Sequence, residues 1–154
     1  MYNNEKEVAE KAEQMLEASL RSKTSSFADH VNRREGQASL KDAAAKSTVK
    51  KYGTVRGGSQ KFYLRSLAIK MTKHGFIQNF GVDGVRDAGT RTRHRPQETT
   101  YNFKSHVMKM QARPFIDEAV EASGVKDFVM SEITRLRSEA IMVDIRRIIS
   151  NIST

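Results

Sequence analysis

The chain has 154 residues, a formal net charge of +9 and a mean hydropathy of −0.61, with 38% hydrophobic and 7% aromatic residues. That size suits one domain with a modest core, and the apolar content exceeds what a fully disordered chain carries. Cysteine is absent, which excludes disulfides, thiolate metal sites and cysteine nucleophiles.

Asn4 with Glu7 three residues later forms a capping-box signal. Val8, Ala12, Met15 and Ala18 follow at helical spacing, so an amphipathic helix is predicted from Asn4 to about Leu20. Its acidic, amphipathic character lacks the basic-then-apolar order of a signal peptide, and no apolar run approaches the ~20 residues that cross a bilayer. The expectation is a soluble, unexported protein with no membrane partner. Residues 21–38 are polar, with Ser and Gly punctuation, and read as a linker. A second helix is predicted from Ser39 to a stop at Gly53, followed by a glycine turn at Gly57 and Gly58.

In "KFYLRSLAIKM", Lys61 to Met71, apolar residues fall on both alternation registers, which predicts a central strand buried partly on both sides. "KHGFIQNFG" then reads as a short helix, with Phe76, Ile77 and Phe80 on one side and Gly81 closing it. Val82 to Thr99 shows no apolar periodicity and is expected to be a long, flexible, Arg-rich loop. Alternation returns from Thr99 to Met110, as a strand expected to pair with the first. Pro114 opens a helix to Ala122, since proline fits a first helical turn. Beyond Gly124, a long helix from Val125 to about Ile149 carries the stripe Val129, Ile133, Leu136, Ala140 and Val143, expected to face the sheet. The predicted fold class is therefore α+β in a single domain, 1–154: a small antiparallel sheet packed by an N-terminal helix and a long C-terminal helix, with the core in 39–150.

Charge is unevenly placed. Residues 1–20 and 114–154 are net acidic, whereas 21–60 and 61–113 are strongly basic, a pattern that suits a polyanion or head-to-tail contact between copies. Catalytic patterns are missing. His30, His74, His94 and His106 stand apart with no metal-ligand spacing, and Ser59 or Ser66 with His74 lacks a nucleophile elbow. Glu98, Asp83 and Asp87 make no recognisable acid and base pair. No enzyme, cofactor, metal or small-molecule substrate is expected. Arg86, Arg91, Arg93 and Arg95 crowd one segment with Tyr101 and Phe103 just beyond, a composition that fits phosphates and bases. "GVDG", Gly81 to Gly84, has the GxxG spacing of a KH loop without the helix order of that domain.

Three segments in order, "GGSQKFYLRSL" (Gly57 to Leu67), "GFIQNFG" (Gly75 to Gly81) and "ARPFIDEAVEAS" (Ala112 to Ser123), together resemble the tail-completion or head-tail joining (neck) proteins of long-tailed bacteriophages. The resemblance implies a structural virion protein, assembled in the bacterial host cytoplasm, that forms a homo-oligomeric ring, a hexamer being favoured, between connector and tail proteins. Under it, Arg113, Pro114 and Phe115 position the helix, Gly81 ends the short one, and Arg86, Arg91, Arg93 and Arg95 contact a neighbouring ring or DNA passing the channel. The alternatives are a tail terminator ring protein and a small basic nucleic-acid-binding protein using the same arginines.

Overall fold

A computed structural model describes residues 2–27, 39–53, 60–94 and 96–152. The fold class is α+β, with an N-terminal helix, a long C-terminal helix and small antiparallel sheets. The chain divides into two compact units, one built from residues 1–72 and 115–154 and the other from Lys73–Pro114.

The first unit is organised around helix α1, Glu5–Thr24. Asn4 caps it: its Oδ1 accepts from the Glu7 backbone N–H at 3.0 Å, while Glu7 Oε2 accepts from the Asn3 N–H at 2.9 Å. Val8, Ala12, Leu16 and Leu20, spaced by four, are buried along one face, and the alanines let neighbouring elements approach closely. Leu16 and Leu20 form the core with Ala45 and Ala119, flanked by Leu67, Ile69, Met71 and Val120.

The segment expected to be a second helix is instead a single 3-10 turn, Leu40–Asp42, followed by strand β1, Ala44–Tyr52. β1 pairs antiparallel with β2, Lys61–Lys70. The pairing passes from Thr48↔Ser66 to Val49↔Leu64, leaving Arg65 as an extra residue in β2. That bulge shifts the side-chain phase. Phe62 and Leu64 before it, and Leu67 and Ile69 after it, are all half-buried on one face. The apolar residues on both registers therefore mark a bulge in a two-stranded hairpin, not a central strand buried on two sides. The proposed turn at Gly57, Gly58 and Ser59, and most of the 21–38 linker, lie outside the described residues, while Arg21 to Thr24 continue α1.

Helix α3, Phe115–Ser123, and helix α4, Val125–Ile152, meet at Gly124, whose φ of +61° turns the chain. α3 packs on α1 through the Ser19 hydroxyl, which donates to the Ala119 carbonyl at 2.7 Å, and through a Lys23–Glu118 pair at 2.9 Å. α4 packs chiefly against α1 and α3, and reaches the β1–β2 hairpin through Arg137, 5.9 Å from the Tyr63 ring centre. Val129, Ile133 and Leu136 are half-buried, but Ala140 is exposed and Val143 is 54% exposed, so the expected stripe is used only in its first half.

The second unit holds helix α2, Lys73–Phe80, then strands β3, Val82–Arg86, β4, Gly89–Arg93, β5, Thr99–Phe103, and β6, His106–Met110. The expected long loop is thus mostly strand. β3 pairs with β6 and β4 with β5, and one register runs unbroken from Val82↔Met110 through Arg86↔His106 and Gly89↔Phe103 to Arg93↔Thr99. Together they form one long hairpin, interrupted at Asp87–Ala88 and Lys104–Ser105. The strand expected from Thr99 to Met110 is consequently split, and its partners are β3 and β4, not β2.

Candidate functional site

Arg86, Arg91 and Arg93 lie on the long hairpin of the second unit; Arg95 falls outside the described residues. The Arg86 guanidinium stacks 4.1 Å from the centre of the Phe103 ring, a cation–π contact. Arg91 sits opposite Tyr101 and Arg93 opposite Thr99, so alternation places both arginines on one face of the β4–β5 ribbon with Tyr101. The other face carries a Thr90–Asn102 hydrogen bond at 2.9 Å and a Thr92–Thr100 contact at 3.0 Å. The ribbon therefore brings Arg91, Arg93 and Tyr101 together, while the Phe103 ring is already stacked by Arg86.

Gly81 ends α2, its N–H donating to the Ile77 carbonyl at 2.9 Å, with φ at +74°. A Cβ there would stand 2.6 Å from the Met110 carbonyl oxygen and 2.8 Å from the Ala112 nitrogen. Gly84 lies within β3, so the GxxG spacing spans a helix end and a strand and forms no KH-type loop. The Arg113 N–H donates to the Gln78 carbonyl at 2.9 Å, which ties the end of the hairpin back to α2. Pro114 directly precedes α3, and Phe115 is 5% exposed, its ring edge-to-face with Phe27 at 5.2 Å. Gly81, the Arg113 backbone and Phe115 thus have structural partners, while the Arg113 side chain and Pro114 are exposed.

A second cluster, in the first unit, escaped the sequence reading. On the β1–β2 hairpin, Tyr52 and Tyr63 stand edge-to-face at 5.3 Å and 82°, and Arg65 Nη2 donates to the Tyr52 hydroxyl at 3.0 Å. That bond holds the Tyr52 phenol below its ordinary pKa, because the guanidinium favours the phenolate. Arg137 of α4 lies 5.9 Å from the Tyr63 ring centre and donates to both oxygens of the buried Glu5, which raises its own pKa. Tyr52, Tyr63, Leu64, Arg65 and Arg137 line an open cavity of about 460 Å³. Arg65 is the bulge residue, and its placement depends on a register shift that alternation alone does not reveal.

Among the described residues, no cluster of three or more His, Asp or Glu side chains is placed to hold a metal ion, and no helix is long and apolar enough to cross a membrane. His94 lies 3.9 Å from Glu98, both well exposed. No protein family matches the chain, and neither a curated protein nor a solved structure does.

Proposed function

We propose that the chain is a non-enzymatic structural protein of a long-tailed bacteriophage virion, a subunit of a neck ring that joins head to tail. The observation that supports this reading best is the long hairpin of β3 to β6. At about 3.3 Å per residue its strands extend on the order of 40 Å, and nearly every residue along them is exposed. The cross-strand pair Val85 and Val107 is 64% and 69% exposed. A two-stranded ribbon with no buried face is marginal in water, and an exposed apolar pair beside arginines suits a contact completed on assembly.

A ring closed by head-to-tail contacts needs two different surfaces on each copy. The outer half of α4, with Ile141, Ile145 and Ile148 exposed, supplies a second. In this reading Arg86, Arg91 and Arg93 meet an acidic neighbour, Gly81 and Arg113 fix α2 at the base of the hairpin, and Phe115 anchors α3 within the first unit.

Electron microscopy and sedimentation of the purified protein, alone and mixed with capsid connectors and tails, test the proposal. Rings, or a monomer that joins connector-bearing capsids and renders them competent for tails, are expected. A monomer that joins neither overturns it.

A further inference from the structure

The β1–β2 hairpin has two chemically distinct faces. Ala45, Ser47, Val49, Phe62, Leu64, Leu67 and Ile69 are turned inward, as their burial shows. Strand alternation and the observed register place Lys46, Thr48, Lys50 and Tyr52 on the opposite face, across from Ala68, Ser66, Tyr63 and Lys61. Arg65, at the bulge, joins that face through its bond to Tyr52. Neither strand contains Asp or Glu. Glu5, which approaches from α1, is buried and already bonded to Arg137 and the Leu64 N–H.

Cations and aromatic rings alternate across this face. Lys50 opposes Tyr63, and in the next pair on the same face Tyr52 opposes Lys61, so each tyrosine has a lysine directly across from it. Both rings remain accessible, Tyr52 at 46% and Tyr63 at 36%. Their mutual edge-to-face packing and the Arg65 bond fix them in place, which lowers the ordering cost of a ligand that stacks there.

We propose that this outer face binds single-stranded nucleic acid, with Lys46, Lys50, Lys61 and Arg65 on phosphates and Tyr52 and Tyr63 as stacking platforms. The chemistry selects that partner. Exposed aromatic side chains on a strand face pair with unstacked bases, as sheet-based RNA binders use them, whereas duplex bases offer no free face. An acidic protein would neutralise the lysines but leave the tyrosines without a stacking partner. The site differs from the arginine-bearing hairpin of the second unit, and it does not depend on the assembly role proposed above.

Fluorescence anisotropy with a labelled twelve-nucleotide oligothymidine and a duplex of equal length tests it, using the full chain. The single strand is expected to bind more tightly than the duplex, with affinity falling steeply as salt rises. Combining Lys46→Ser, Lys50→Ser and Lys61→Ser should lower the salt slope by about two, at roughly 0.7 per lost phosphate contact. Tyr52→Leu and Tyr63→Leu should each weaken binding about tenfold, whereas the Phe variants retain it. Arg91→Ser with Arg93→Ser should leave affinity unchanged, and circular dichroism should show every variant folded. No binding at 50 mM salt overturns the proposal. So does loss of binding in the Arg91 and Arg93 variant, or duplex binding of equal strength that the leucine variants do not alter.

Discussion

Arg137 of α4 donates Nε and Nη2 to the two carboxylate oxygens of Glu5 at 2.8 and 3.2 Å, joining residues from opposite ends of the sequence. Glu5 lies in the first turn of α1, where the helix dipole favours a negative charge, and its Oε2 also accepts from the Leu64 N–H at 2.7 Å. One buried carboxylate thus ties α1, β2 and α4 together. Arg137→Ala should leave that carboxylate short of donors and cost about 2 kcal/mol, below the ~3–5 kcal/mol of a fully buried pair because the Arg137 side chain is 51% exposed. Arg137→Lys, unable to bond both oxygens at once, should recover part of the loss. Urea denaturation reads both, and an Arg137→Ala variant within 0.5 kcal/mol of the parent would show that Leu64 and the helix terminus suffice.

Two further α1 carboxylates protect the free edge of β1. Glu17 Oε1 accepts from the Ala45 N–H at 3.2 Å, and Glu13 accepts from the Ser47 N–H. The match is geometric: four helical residues rise about 6.0 Å and two strand residues about 6.6 Å, so Glu side chains one turn apart meet alternate outward N–H groups. Replacing both by alanine should cost about 2 kcal/mol in total, near 1 kcal/mol per bond. It would also expose an unpaired strand edge. Thermal unfolding with light scattering should show a lower midpoint together with faster aggregation. A lower midpoint without aggregation would mean the edge is protected by something else.

The same carboxylates explain why β1 is hard to read from sequence. Its inward residues, Ala45, Ser47 and Val49, are small or polar because a helix lies close and supplies hydrogen bonds as well as apolar contact, so "AAAKSTVKK" resembles a helix with a lysine face. The Arg65 bulge hides β2 in a different way, by moving the apolar residues from one alternation phase to the other. Strands β3 and β4 of the long hairpin give no periodic signal, since periodicity records a buried face and this ribbon has almost none, whereas β5 and β6 show enough alternation to be read as one strand, though with the wrong partner. By contrast, α1, α2, α3 and the Gly124 break were legible, because capping groups, glycines and Pro114 act locally. Of the sites, the arginines of the hairpin were visible as composition. The tyrosine pair was not, since Tyr52 and Tyr63 meet only once β1 is recognised as a strand.

Gly81 and Gly124 both have positive φ, +74° and +61°, yet their surroundings differ. At Gly124 a Cβ meets nothing within 4 Å, so Gly124→Ala should cost only the left-handed backbone strain of about 1–2 kcal/mol. At Gly81 the same strain is joined by a clash with the Met110 carbonyl and the Ala112 backbone, atoms that cannot rotate away. Gly81→Ala should therefore disrupt the second unit, with rapid amide exchange along β3 and β6, whereas the Gly124 variant keeps native exchange rates there. Equal effects of the two variants would show that the hairpin shifts to admit the methyl group.

From Arg137 to Ser150 every residue of α4 is exposed. Ile141, Ile145 and Ile148 fall along one face at spacings of three and four, with Asp144 bordering them, while Arg146 and Arg147 lie elsewhere around the helix. Their exposures, 58%, 43% and 57% for the three isoleucines, place a contiguous apolar strip in water, which a folded monomer rarely maintains. If this strip forms one of the two ring contacts, Ile145→Glu combined with Ile148→Glu should abolish self-association in sedimentation experiments at concentrations where the parent associates. Because neither side chain is buried, unfolding stability should stay within about 0.5 kcal/mol of the parent. Association that persists in the double variant would remove α4 from the interface and leave the β3 to β6 hairpin as the remaining candidate. A large loss of helicity would instead show that the strip packs within its own chain.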